Sequence, residues 1–74
     1  MEWKIGDRVE TKIHTYDGVI LAIGNVKDVA NQMGWQEWYD QHKDKFDEVV
    51  AIEDNTSNRR VISLSVFNEE WIKI

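Results

Sequence analysis

The residues best equipped for chemistry in this chain are two histidines, each with an aspartate close behind: His14 with Asp17, and His42 with Asp44. A histidine beside a carboxylate is a starting point for acid–base catalysis or metal ligation, because the carboxylate orients the ring and raises its basicity. Neither pair has a second shell visible in the sequence. Ser63 joins His14 and Asp17 to write a Ser-His-Asp triad on paper, yet no glycine-flanked strand-to-helix turn marks Ser63 as a nucleophile. Cysteine is absent, which excludes a thiol nucleophile, a zinc-thiolate centre and a disulfide framework. The sequence therefore predicts no catalytic residue, no metal site and no cofactor, and directs attention to binding.

Candidate binding groups concentrate in residues 26–46. Trp35, Trp38, Tyr39, His42 and Phe46 fall on one stripe of a helix at about 100° per residue, and Trp and Tyr are common interface anchors. The same stripe suits packing on the second face of a hairpin, over Tyr16, Val19, Leu21 and Ile23, since a small domain rarely leaves so large an apolar patch in water. On the opposite side Glu37, Asp40, Asp44, Asp47 and Glu48 recur mostly at intervals of three or four, lining the helix and its exit. Like charges at that spacing repel by roughly 0.2–0.5 kcal/mol per pair. The row reads either as a solvated face relieved by Lys43 and Lys45, or as a surface that attracts a basic partner or imitates a phosphate backbone. Arg59 and Arg60, with Lys4, Arg8 or Lys12 nearby, are the candidates for nucleic-acid contact, although paired arginines in a turn also serve solubility.

Charge weighs against nucleic acid as the main ligand. The 74 residues carry a formal charge of −5, all of it from the acid surplus between Val26 and Asp54, while the flanks balance. Phosphate-led affinity comes mainly from Lys and Arg, so an acidic domain favours a protein partner with a basic surface. No apolar run approaches the roughly 18 residues of a membrane span. With no cysteine and no basic-then-apolar start, the sequence reads as cytoplasmic.

These groups must be positioned by a single small domain, one that buries only about 60% of the surface its unfolded chain exposes. Residues 8–16 alternate as a strand, Asp17-Gly18 matches a two-residue hairpin turn, and residues 19–23 return. That register sets Tyr16 opposite Val19, His14 opposite Leu21 and Lys12 opposite Ile23, with Val9, Ile13, Ile20 and Ala22 sharing the other face. Asn25 and Asp28 form an approximate capping box for a helix over Val26–Met33. Its apolar side, Val26, Val29, Ala30 and Met33, lies about 180° from the aromatic stripe on the same helical clock. Gly34 sits where the stripes change over, which predicts a break there and a second helix over residues 35–46. A single helix between two apolar surfaces is the alternative. Residues 48–53 read as a buried strand, 54–58 as a turn, 60–66 as a strand, 65–70 as a capped helical turn and 71–74 as a last short strand.

This succession resembles an SH3-like small β-barrel of the Tudor or KOW kind. The residues that carry the likeness are Gly6-Asp7-Arg8-Val9, Asp17-Gly18-Val19-Ile20 and the stretch from Phe67 to Ile74. The resemblance implies a mainly β, five-stranded barrel formed by residues 1–25 and 47–74, interrupted by a helical insert at 26–46. It implies binding of proteins or nucleic acids without chemistry. The tyrosine-rich first loop of peptide-binding SH3 domains is missing, which removes the case for a proline-rich ligand. The leading expectation is a non-enzymatic module that binds a protein partner through Glu37, Trp38, Asp40, Asp44 and Asp47 of the insert. The alternatives are an acidic inhibitor of phage or mobile-element type that mimics nucleic acid, and direct nucleic-acid binding by Arg59, Arg60 and the barrel.

Overall fold

The computed structural model describes residues 2–44 and 47–74. It is a small α+β fold in which β1 (Arg8–Thr11), β2 (Asp17–Asn25), β3 (Glu48–Asp54), β4 (Arg59–Ser63) and β5 (Trp71–Lys73) form one antiparallel sheet in the order β4-β3-β2-β1-β5. Three helices accompany it: α1 (Val26–Met33), α2 (Gln36–His42) and α3 (Leu64–Glu70). The last strand pairs with the first, so the end of the chain is tied back to its beginning. The sheet is not closed: β4 and β5 are its two edges, and no ladder joins them among the described residues. Five strands and two helices between β2 and β3 appear as expected, but the sheet does not close into the expected barrel. None of the described helices is long and apolar enough to cross a membrane.

β3 is the axis of the core. Its run Val49-Val50-Ala51-Ile52 is fully buried, because alternate side chains enter two separate clusters on the two faces of the sheet. Val50 and Ile52 join Val9, Ile20, Trp3, Phe67 and Trp71 on the inner face. Val49 and Ala51 join Ala22, Val26 and Val29 beneath the helical insert. Phe67 holds the inner cluster together, edge-on to Trp3 at 4.6 Å and stacked on Trp71 at 5.4 Å.

The first hairpin departs from the predicted register. Its turn is not Asp17-Gly18, which lie inside β2, but the loop 12–15, with Val9 opposite Gly18 and Glu10 opposite Asp17. Local hydrogen bonding fixes this loop: the Thr11 hydroxyl accepts from the amides of Thr15 and Tyr16, and the Thr11 amide donates to the Tyr16 carbonyl at 2.9 Å. His14 takes the positive φ of 60° that the turn needs. Gly18 answers another demand, since a β-carbon there would stand 2.5 Å from the Glu53 carbonyl oxygen of the neighbouring strand. A register shift between Ile20 and Ala22 then sends these two residues to opposite faces: Ile20 keeps the face of Val9, as period-two counting predicts, while Ala22 leaves it.

Capping explains the helices. Asn25 accepts the Asp28 amide at 2.8 Å and opens α1 as expected, and Gly34 closes it in the left-handed region with φ 72°. The break at Gly34 is therefore real and the single-helix alternative fails. α2 is shorter than predicted, starting after Trp35 and stopping at His42. The predicted strand over 60–66 is also cut short, because the Ser63 hydroxyl accepts the Val66 amide and starts α3 at Leu64.

Candidate interaction site

The insert covers the sheet over β2, β3 and β4, so it meets the first hairpin through β2 but is not confined to it as the sequence suggested. Val26, Val29 and Ala30 of α1 are buried there, and Met33, Trp35, Trp38, Tyr39 and Val61 pack around them half-buried. Ile23, expected under the stripe, packs instead with the inner cluster. Trp35 and Trp38 meet edge to face at 6.0 Å, and Trp38 stacks on His42 at 5.5 Å. With Arg59 and Val61 the two tryptophans line an open groove of about 530 Å³. Phe46, the last member of the predicted stripe, lies outside the described residues.

The acids point to water, as a two-sided insert requires. Glu37, Asp40, Asp44, Asp47 and Glu48 are all exposed, and Asp40 accepts a hydrogen bond from Gln36 at 3.2 Å. They do not form one row on a helix, however. α2 ends at His42, so only Glu37 and Asp40 share it; Asp44 follows the helix and Glu48 begins β3.

The arginines are separated as well. As neighbours on a strand they face opposite sides of the sheet. Arg59 walls the tryptophan groove and sits 3.5 Å from Glu53. Arg60 points to the other side, donates Nε to Asp54 at 2.6 Å and lies over the Tyr16 ring at 4.4 Å. The buried Asp54 carboxylate also accepts from the Thr56 hydroxyl and from the amides of Thr56 and Asn58. The Thr56 hydroxyl bond foremost, with Arg60 and the two amides, holds the Asp54 carboxyl well below the usual carboxylate range despite its burial. In return Asp54, with Tyr16 beside it, raises the Arg60 guanidinium further.

Arg60 and Tyr16 also line a second cleft, of about 560 Å³, with Ile13, Ile62, Glu70 and Trp71 among its walls. It lies where the sheet fails to close, between the edge strand β4 and the β5 end. Sequence reasoning missed this cluster, although the spacing Asp54-x-Thr56-x-Asn58 is the signal of a carboxylate-capped turn.

The residues considered for catalysis have other engagements. His14 Nδ1 lies 3.2 Å from Glu10, Ser63 caps α3, and His42 Nδ1 lies 2.9 Å from the Trp38 carbonyl. Among the described residues no group of three His, Asp or Glu side chains is arranged to hold a metal ion. Comparison with protein families, with curated proteins and with solved structures finds no match.

Proposed function

We propose that this chain is a non-enzymatic interaction module, an SH3-like small barrel left open at one seam, that binds a protein partner through its helical insert. The observation that carries this reading is the tryptophan groove. Trp35 and Trp38 each rest on the cluster beneath the insert and also wall an open groove beside Val61 and Arg59. Rings held rigid on one side and accessible on the other lose little entropy on binding, which is why such residues anchor interfaces. The exposed acids Glu37, Asp40, Asp44 and Asp47 surround the insert and raise the approach rate of a partner with a basic surface.

Panning a displayed library of random linear peptides against the whole chain tests the reading. Selected peptides should lose about tenfold or more in affinity on Trp38→Ala while circular dichroism stays native. Neutralising Asp40, Asp44 and Asp47 together should slow association and flatten its salt dependence. A library that yields no binder, or binders indifferent to Trp38, overturns the proposal.

A further inference from the structure

The edge strand β4 runs between two openings, the groove and the cleft. Arg59 and Val61 line the tryptophan groove, while Arg60 and Ile62 line the cleft with Tyr16 and Trp71. The phase of the β3–β4 ladder decides which backbone groups remain on the open edge. The Asp54 amide donates to the Asn58 carbonyl at 2.9 Å, so this is a directly bonded pair at the end of the hairpin. Bonded and non-bonded pairs alternate in an antiparallel ladder, and the next bonded pairs are Ile52 with Arg60 and Val50 with Ile62. The N–H and C=O groups of Arg59 and Val61 therefore point away from β3. Among the described residues no other strand pairs with this edge.

We infer that β4 is a strand-addition site, and that its occupant is an extended peptide segment of a protein partner. Such a segment takes backbone hydrogen bonds from Arg59 and Val61 and places alternate side chains into the groove and the cleft. Each opening is walled largely by apolar and aromatic groups: Trp35, Trp38 and Val61 on one side, Tyr16, Ile62 and Trp71 on the other. Apolar residues at alternating positions on both faces of the segment fit them. Arg59, whose side chain is 55% exposed and only loosely tied to Glu53, favours a carboxylate near one end of the segment. The other edge, β5, is three residues long and bears Lys73, a charge that discourages pairing. A second copy suits β4 less well. Each copy brings a charge of −5, and a dimer interface of about 800 Å² per partner would have to form against that repulsion.

This inference deepens the interaction reading and rests on it, so the test must separate the two. Peptides selected from the displayed random library are measured against wild type, Trp38→Ala and Val61→Pro. The proline removes an amide that β3 does not use, which an edge strand tolerates. The expected result is a loss of about tenfold or more on Val61→Pro, with enriched peptides alternating apolar residues. Peptides that lose affinity on Trp38→Ala but not on Val61→Pro overturn strand addition and leave the tryptophan groove standing. Should Val61→Pro not fold, amide exchange in the wild-type complex decides. Slowed exchange at Val61 supports the inference; an unchanged Val61 amide in a saturated complex overturns it. Concentration-dependent dimers in sedimentation, abolished by Val61→Pro, would also overturn it by assigning the edge to a second copy.

Discussion

Arg60 lies 4.4 Å above the ring of Tyr16 while donating its Nε to the buried carboxylate of Asp54 at 2.6 Å, which ties β4 to the end of the first loop. The turn and the cleft wall are thus held by one carboxylate. In Asp54→Asn the side-chain amide can still accept from the Thr56 and Asn58 amides through its oxygen, but its nitrogen meets the Arg60 donor. Thermal melting should place Asp54→Asn below both wild type and Thr56→Val, since the latter removes only one of the acceptor's four partners.

The same carboxylate sets an acid limit. A carboxyl held below its ordinary value in the fold contributes stability that is complete above about pH 4 and is lost as pH falls through the folded-state value. Asp7 behaves likewise, lowered first by the Lys4 amide and then by Lys73. Urea midpoints should therefore stay level down to about pH 4 and fall below it. Asp54→Asn should make that acid limb shallower; an unchanged limb would show that Asp54 is not the group responsible.

Two glycines separate close approach from backbone strain. Ala at Gly18 would drive a β-carbon against the Glu53 carbonyl oxygen at 2.5 Å, with only backbone there to yield. Ala at Gly34 meets nothing within 4 Å and suffers only from the φ of 72°. Gly34→Ala should cost about 1 kcal/mol and leave the fold intact. Gly18→Ala should cost about 1–3 kcal/mol or more, because it must part β2 from β3. Urea denaturation gives both values, and equal losses would refute the distinction.

Phe67 has no solvent exposure and fills the space between Trp3 and Trp71. Replacement by Ala should cost about 3–5 kcal/mol. For a small domain of about 5 kcal/mol total stability that is close to unfolding. Phe67→Leu should fold with a lowered melting temperature, which distinguishes a core role from a general intolerance at this position.

What could be read in the sequence follows from how local each signal is. The Asn25 cap, the Gly34 break and the β3–β4 hairpin rest on residues within a few positions of each other, and each appears where local spacing predicted it. The first hairpin was misread because Asp17-Gly18 carries a turn signature for a non-local reason: Gly18 is required by the approach of Glu53, and Thr11 supplies the actual turn through its hydroxyl. The register shift after Ile20 leaves no local signature either, yet it decides which face Ala22 and Ile23 serve. In the site, the stripe of Trp35, Trp38 and Tyr39 was legible from helical spacing. The cleft was not, since it depends on a β1–β2 loop, an edge strand and Trp71 meeting across the open seam.

The four tryptophans divide into two environments, which gives the candidate site an optical signature. Trp3 and Trp71 are 9% and 4% exposed, and both lie in the inner cluster with Phe67. Trp35 and Trp38 are half-buried and wall the groove. Acrylamide should therefore quench the native fluorescence in two populations, one accessible and one protected, which merge when the chain unfolds. Replacing Trp35 and Trp38 by Phe keeps aromatic packing over Val61 while removing the accessible emitters, so the remaining signal should resist quenching. A single accessible population in that double variant would mean that the inner cluster is open to solvent, and that the core supporting the groove is not closed around Phe67.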